Sequence, residues 1–233
     1  MNICFLNWST GKDAAYALYC MQQERKYEVV RLLTTTNAAV DRVSMHGVRQ
    51  ELLLRQVEQL EIPIDIIALD ASLTMETYEA RMSEQLQLYL ESDIKFSVYG
   101  DILLEDLKKF REHQLQKIGF TGVFPLWKRP TRALFMEMIE AGFKTIVVCV
   151  NTAFLDKSFL GRTLDAQFLA DLPENVDPCG ENGEFHTFVY DGPIFKSPVQ
   201  FVRGEAVYKT YPAPRNQGEV QEADYGYWFL DLL

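Results

Sequence analysis

Short apolar runs alternate with longer stretches of helical period along about the first 150 residues, and this alternation restricts the fold more than any other feature. Ile3 to Asn7, Glu28 to Thr34, Ile64 to Leu69 behind Pro63, Phe96 to Tyr99, a short run near Val123 and the very apolar Thr145 to Val150 have strand character. Between them, Lys12 to Gln23 places Ala14, Leu18 and Met21 on one helical face. Val48 to Leu60, Met75 to Leu90, Glu105 to Ile118 and a segment opening at Pro130 continue the helical pattern. Strands separated by helices are parallel strands joined by crossovers, so the expected fold is a doubly wound parallel α/β sheet covered on both faces.

Past Asn151 the pattern changes. A mostly helical segment is expected to about Leu172, then a loop over Pro173 to Gly183. Strand-like runs follow at Glu184 to Tyr190, Val199 to Tyr208 and Tyr225 to Leu232, with Arg203-Gly204 suggesting a hairpin turn or a bulge. The expected division is a ligand-binding α/β domain over residues 1–150 and a smaller, β-containing C-terminal part over 151–233, packed on the first sheet.

Composition removes several functional classes. Thirty-three acidic residues against 23 basic ones give a net charge of -10, which repels a phosphate backbone and disfavours nucleic-acid partners. No stretch approaches the roughly 20 apolar residues of a membrane span, and the start lacks the basic and apolar regions of a signal peptide, so the cytoplasm is the expected compartment. Cys4, Cys20, Cys149 and Cys179 form no CxxC pair, which argues for reduced thiols and against structural zinc.

The first strand ends in Asn7-Trp8-Ser9-Thr10-Gly11-Lys12-Asp13, and a helix begins at once. Ligands of open parallel sheets sit beyond the carboxyl ends of the strands, where loop amides and the helix dipole hold an anion. Ser9 and Thr10 supply hydroxyls, Gly11 admits a close approach, Lys12 adds a full charge, and Asp13 could hold Mg²⁺ against phosphate oxygens. Taken alone, the stretch equally suits a capped helix start. It is neither a GxxxxGK[ST] loop nor a GxGxxG loop.

Ser9-Thr10-Gly11-Lys12-Asp13-Ala14 resembles the SGGKDS pyrophosphate loop of the adenine nucleotide alpha-hydrolase-like (HUP-like, Rossmann-like) PP-loop ATPases, which cleave ATP between its α and β phosphates. Downstream blocks point to the diphthine-ammonia ligase group. They are Val98-Tyr99-Gly100-Asp101-Ile102, Ile118-Gly119-Phe120 leading to Pro125-Leu126-Trp127, and Cys179-Gly180-Glu181-Asn182-Gly183-Glu184-Phe185-His186-Thr187. The last is similar to the group's EGGE(F/Y)ET motif. The sequence departs from the group at Thr10, Ala14, Asn182 and His186. The first pair touches the phosphate loop, the second the acceptor side.

The resemblance implies an AMP-forming C–N ligase that uses ATP, Mg²⁺ and ammonia to convert a carboxylate into an amide. In the group that acceptor is diphthine on an elongation factor, and a homodimer stays open. Ser9, Thr10, Gly11, Lys12 and Asp13 are then nucleotide residues, joined by His46, Gly100 and Asp101 at strand ends. Glu181, Glu184 and His186 form the acceptor-side set, two carboxylates and an imidazole suited to moving protons. Without the resemblance they read as a polar loop, His46 and Asp101 as helix caps, and Cys179 as a small buried side chain. His113 reads as solvated charge, and the patch Lys128, Arg129 and Arg132 as a solvated helix start or a second phosphate clamp. A tRNA-modifying ATPase and a non-catalytic nucleotide sensor are the alternative functions.

Overall fold

A computed structural model of the chain describes residues 1–44, 46–70, 75–211 and 225–233. The first sheet is built on β1 (Asn2–Asn7), whose central Cys4, Phe5 and Leu6 are buried, on both faces of the sheet. Cys4 and Leu6 join a core with helix α1 (Lys12–Glu24), while Phe5 turns to the other side against Tyr89 and Phe120. Each such fully buried side chain contributes about 1.5–3 kcal/mol, and double-sided burial is why this strand reads as a continuous apolar run rather than an alternating one.

β2 (Tyr27–Asn37) pairs in parallel with β1 and with β4 (Ile64–Leu69), and its Leu32 and Leu33 are bonded to both. β1 also pairs in parallel with β5 (Phe96–Val98), and β5 with β6 (Thr121–Val123). The order is therefore β4-β2-β1-β5-β6, and its direction reverses between β1 and β5. A two-residue strand β3 (Arg42–Val43) joins the end of β2 antiparallel; it has no sequence signal of its own. The crossover helices are α1, α2 (Gln50–Leu60), α3 (Met75–Glu91) and α4 (Glu105–Lys117). Helix α5 (Thr131–Glu140) follows, with Pro130 at its N-cap.

A second, antiparallel sheet runs β8-β7-β10-β9, with β7 (Lys144–Asn151), β8 (Phe185–Asp191), β9 (Arg203–Tyr211) and β10 (Tyr225–Leu232). This corrects the expectation that Thr145 to Val150 completes the parallel sheet. A continuous apolar run signals burial on both faces, and an inner strand of a covered antiparallel sheet meets that condition as well as a parallel one does. The helical segment expected after Asn151 is also corrected. That stretch is mostly turns, with a 3-10 turn over Lys157–Phe159 and the six-residue α6 (Ala166–Asp171), whose start is capped by the Asp165 carboxylate accepting from Phe168 N–H at 2.7 Å.

Of the two alternatives for Arg203-Gly204, the bulge is found. Ala206 faces Leu230 and Arg203 faces Leu232, so β9 carries one extra residue there. One core cluster runs from β1, α1 and α2 through α5 into β7 and β8. The C-terminal part is thus built onto the first sheet's helices.

Candidate functional site

The β1–α1 loop lies where the strand order reverses, the position at which open α/β sheets hold ligands. Its conformation is unusual. Thr10 is fully buried with a φ of 72, in the left-handed region that β-branched residues rarely adopt. Among the described residues its Oγ1 is buried without a hydrogen-bond partner.

The loop is held by Gln56, a buried residue of α2 that gave no sequence signal. Its amide donates to Thr10 O at 3.1 Å and to Val189 O at 2.6 Å, and its Oε1 accepts from Trp8 Nε1 at 3.0 Å. Strand β8 completes the clamp. Val189 N–H donates to Thr10 O at 3.0 Å, and Thr187 Oγ1 accepts from the Lys12 amide at 3.1 Å. This is how the second sheet reaches the β1–α1 loop, with Gln56 placed centrally among Leu52, Leu53 and Leu60 on the buried face of α2.

Gly11 opens α1, and a Cβ there would lie 2.5 Å from His46 Cε1, so the imidazole packs directly on it. Gly100 is equally tight. A Cβ there would sit 2.7 Å from the Asp13 carbonyl carbon, so only glycine lets the end of β5 approach the first turn of α1.

Beside this loop lies a cavity of about 690 Å³. Ser9, Lys12, Asp13, His46, Gly100, Asp101, Glu181 and His186 all line it, so residues far apart in sequence converge as expected. Thr10, Gly11 and Glu184 do not line it. The cavity also takes Thr34 and Thr35 from β2 together with Tyr78 and Arg111, none of which stood out in the sequence, and Tyr99 of the block that ends at Ile102. The Arg111 guanidinium lies 4.2 Å from the Tyr99 ring centre and 2.9 Å from Asp101, giving a flat cationic wall.

Lys12 is buried, and its ammonium contacts Asp13 at 2.8 Å, the Cys179 carbonyl and the Phe185 ring. Burial alone would lower its pKa, but the Asp13 carboxylate more than offsets this and the lysine stays charged. Burial raises Asp101 against the effect of Arg111. Glu181 is raised to about 7, first by burial and then by Asp13. Its Oε2 accepts from Ile102 N–H at 3.1 Å and Leu103 N–H at 3.0 Å, which ties the motif to the chain following β5.

Glu184 differs from the expectation. Its fully buried carboxylate accepts from the backbone N–H of Asp177 at 2.9 Å, that of Asn182 at 2.8 Å and the Asn182 side-chain amide at 2.9 Å. With both oxygens engaged it braces the loop carrying Glu181. Asn182, where the related motif has glycine, supplies two of those three donors.

His46 and His186 lie with ring centres 4.9 Å apart, and burial lowers their pKa values to about 4 and about 3. Both are neutral at pH 7. His46 Nδ1 faces the Thr187 carbonyl at 3.0 Å, so that nitrogen donates and Nε2 is left as an acceptor. Cys179 is buried with its thiol pushed up by burial, which fits a packing side chain rather than a nucleophile. Arg129 pairs with Glu137, away from the cavity.

A mostly parallel sheet with a strained loop at its switch point, a buried lysine and an acid-lined cavity places the chain in the Rossmann-like α/β class of the HUP type. Residues 2–121 match the diphthamide synthase N-terminal domain and residues 130–213 the diphthamide synthase C-terminal domain. The chain belongs to the diphthamide synthase family.

It is similar to proteins named diphthine--ammonia ligase. The human protein is 30% identical over 130 residues, covering 53% of this chain and 49% of that protein. The Rattus norvegicus protein is 32% identical over the same length, and the Danio rerio protein is 35% identical over 104 residues, covering 42% of this chain and 40% of its own. The matched region spans about half the length of the curated relatives. Among the described residues no helix is long and apolar enough to cross a membrane.

Proposed function

We propose that this protein is an AMP-forming ligase that adenylates a carboxylate and couples it to ammonia, the type of reaction that the relatives' name gives for diphthine. The observation that carries the reading is the convergence in one cavity of the charged Lys12 with Glu181 and His186. Ser9, Gly11 and Lys12, with the first amides of α1, hold the pyrophosphate end of ATP. His46, Gly100 and Asp101 complete the nucleotide side, and Thr10, fully buried at positive φ, sets the turn of the loop through its backbone. In this division residues 1–150 carry the nucleotide and residues 151–233 serve the acceptor.

A carboxylate does not react usefully with ammonia because its leaving group would be oxide. Attack of a carboxylate oxygen on the α-phosphorus forms an O–P bond and breaks the bond to the β-phosphate, releasing pyrophosphate. Ammonia then adds at the acyl carbon, AMP leaves with the electron pair of the C–O bond, and the surplus ammonium proton passes to a base. Glu181, raised to about 7, accepts a proton at neutral pH and releases it again. Neutral His186 orients the acceptor by hydrogen bonding, and Glu184 acts as a positioning residue.

Mg²⁺ fits this set through the nucleotide. Among the described residues no three His, Cys, Asp or Glu side chains converge as a metal cage, so Asp13 would hold the ion and ATP oxygens would supply further ligands. Burial first, and then the Asp13 carboxylate, raise the pKa values of Asp101 and Glu181, and a bound cation at Asp13 would relieve that repulsion. Bound Mg²⁺ supplies charge neutralisation at the phosphates.

The test is chromatography of the nucleotides after incubation with ATP, ammonium and a metabolite extract. AMP and pyrophosphate are expected. Accumulation of ADP contradicts the proposal.

A further inference from the structure

Asp101, just past β5, and Arg111, on α4, meet on the cavity wall, and the reaction outlined above leaves the arginine without a task. Besides Lys12 it is the only full positive charge among the described lining residues. Stacking sets its place. The guanidinium lies over Tyr99, and Tyr99 stacks in turn on Phe124 with ring centres 5.4 Å apart. Asp101 is fixed from the other side, because Gly100 packs against the Asp13 carbonyl and ties the end of β5 to the first turn of α1.

The two side chains form an ion pair without a hydrogen bond. Arg111 Nε lies 2.9 Å from Asp101 Oδ2, yet its N–H is not aimed at that oxygen, and both atoms are buried without a hydrogen-bond partner. Among the described residues three buried side-chain polar atoms are in that state, and these are two of them. Asp101 Oδ1 and the two Arg111 Nη make no hydrogen bond to a described residue either, and they are not buried. The cavity wall therefore presents a carboxylate acceptor beside guanidinium donors, and buried pairs of this kind normally have such atoms engaged.

Charge and place decide which ligand suits this edge. A phosphate would meet the Asp101 carboxylate, with Asp13 near enough to add its own repulsion. A vicinal diol carries no charge. One hydroxyl donates to the carboxylate, its neighbour accepts from the guanidinium, and both bonds are charge-assisted. Asp101 stands next to the phosphate loop, and in a nucleoside triphosphate the group joined directly to the α-phosphate is the ribose, with the base one step further away. Resting on the ligase reading above, we propose that Asp101 and Arg111 are specificity-determining residues that grip the ribose diol of the nucleotide, so that the protein selects ribonucleotides.

The test is calorimetric titration of ATP and 2′,3′-dideoxyATP, which lacks both hydroxyls, into wild type, Asp101→Ala, Arg111→Met and the double variant. Wild type should bind ATP at least about tenfold more tightly than dideoxyATP. Each single variant should cut this preference by at least about threefold, and the double variant should bind both nucleotides alike within about twofold. The ratio is the readout, because a charge removed beside the polyphosphate, or general damage to the loop, shifts both nucleotides together. Thermal melts show which variants are folded, and either single variant alone carries the test. ITP, altered only in the base, is the control, and its affinity relative to ATP should be the same in every protein. Equal binding of ATP and dideoxyATP by wild type, an unchanged preference in the folded variants, or loss of discrimination against ITP in place of dideoxyATP overturns the proposal. Failure of ATP to bind wild type removes the ligase reading itself, whereas normal ATP binding with a failed pattern removes only the ribose assignment.

Discussion

Replacing Thr10 by glycine should stabilise the protein and leave its hold on ATP in place. In the wild type a β-branched residue sits at a φ of 72, which costs about 1–3 kcal/mol. Its buried hydroxyl lacks a partner among the described residues, a further cost of about 1–3 kcal/mol. Glycine removes both. Against this stand the loss of two buried carbons, Cβ and the methyl, about 1.6 kcal/mol, and the entropy of glycine in the unfolded chain, about 0.5–1 kcal/mol. Taking the two relieved costs at about 1.75 kcal/mol each, just below the middle of their ranges, the balance is a gain of about 1 kcal/mol, which for a chain of this size raises Tm by about 2–4 °C.

Because the Thr10 side chain is fully buried and does not line the cavity, the ATP dissociation constant should change by less than about twofold. Thr10→Ala is the control, because it removes the hydroxyl but keeps a side chain at positive φ. It should likewise leave ATP affinity in place and stabilise less. Differential scanning calorimetry and calorimetric titration read the two effects. A lower Tm for Thr10→Gly would show that the strain is not relieved, and an approximately tenfold loss of ATP affinity would show that the buried hydroxyl reaches the nucleotide after all.

Three further predictions concern the acceptor-side motif. Between the ordinary carboxylate range and about pH 7 folded Glu181 holds a proton that the unfolded chain releases, so its contribution to stability falls as pH rises through that window. The Tm of Glu181→Gln relative to wild type should therefore climb between about pH 5 and about pH 8, and a falling difference would contradict the assigned burial. His186, lowered to about 3, has the opposite sign: its neutral form favours folding above about pH 6.5, and that contribution is lost on acidification. His186→Asn should thus become less sensitive to acid than wild type in a pH series of thermal melts. Glu184→Gln puts an amide N–H against buried donors and should destabilise by about 2–3 kcal/mol, visible as a lower urea midpoint; an unchanged midpoint would show that the loop does not need this carboxylate.

The sequence carried the first sheet well because its strands are short, apolar and separated by helical periods. Ile64–Leu69 emerges with the bounds expected, and the helix at Lys12 begins where Gly11 announces it. What it could not carry is which sheet a fully apolar strand joins, as β7 demonstrates. The stretch after Asn151 misleads for a local reason. Asn151, Asp156 and Asp165 side chains each accept from a backbone N–H two or three residues on, which closes turns where periodicity suggested a helix.

The site was legible to the extent that its residues had a place at strand ends. Lys12, Asp13, Asp101, Glu181 and His186 line one cavity. Glu184 was not readable, because its role depends on the loop folding back so that Asp177 and Asn182 present their N–H groups. Gln56 was invisible for the same reason: its three partners come from β8 and from either end of the phosphate-type loop.

The central claim is that ATP is held at the β1–α1 loop by Lys12, and titration of ATP into wild type and Lys12→Ala tests it most directly. The substitution removes the loop's one full positive charge, so the dissociation constant should rise by more than about tenfold, a loss above ~1.4 kcal/mol. Thermal melts of both proteins establish that the compared samples are folded. An unchanged dissociation constant in a folded Lys12→Ala protein would contradict the account and place the nucleotide elsewhere.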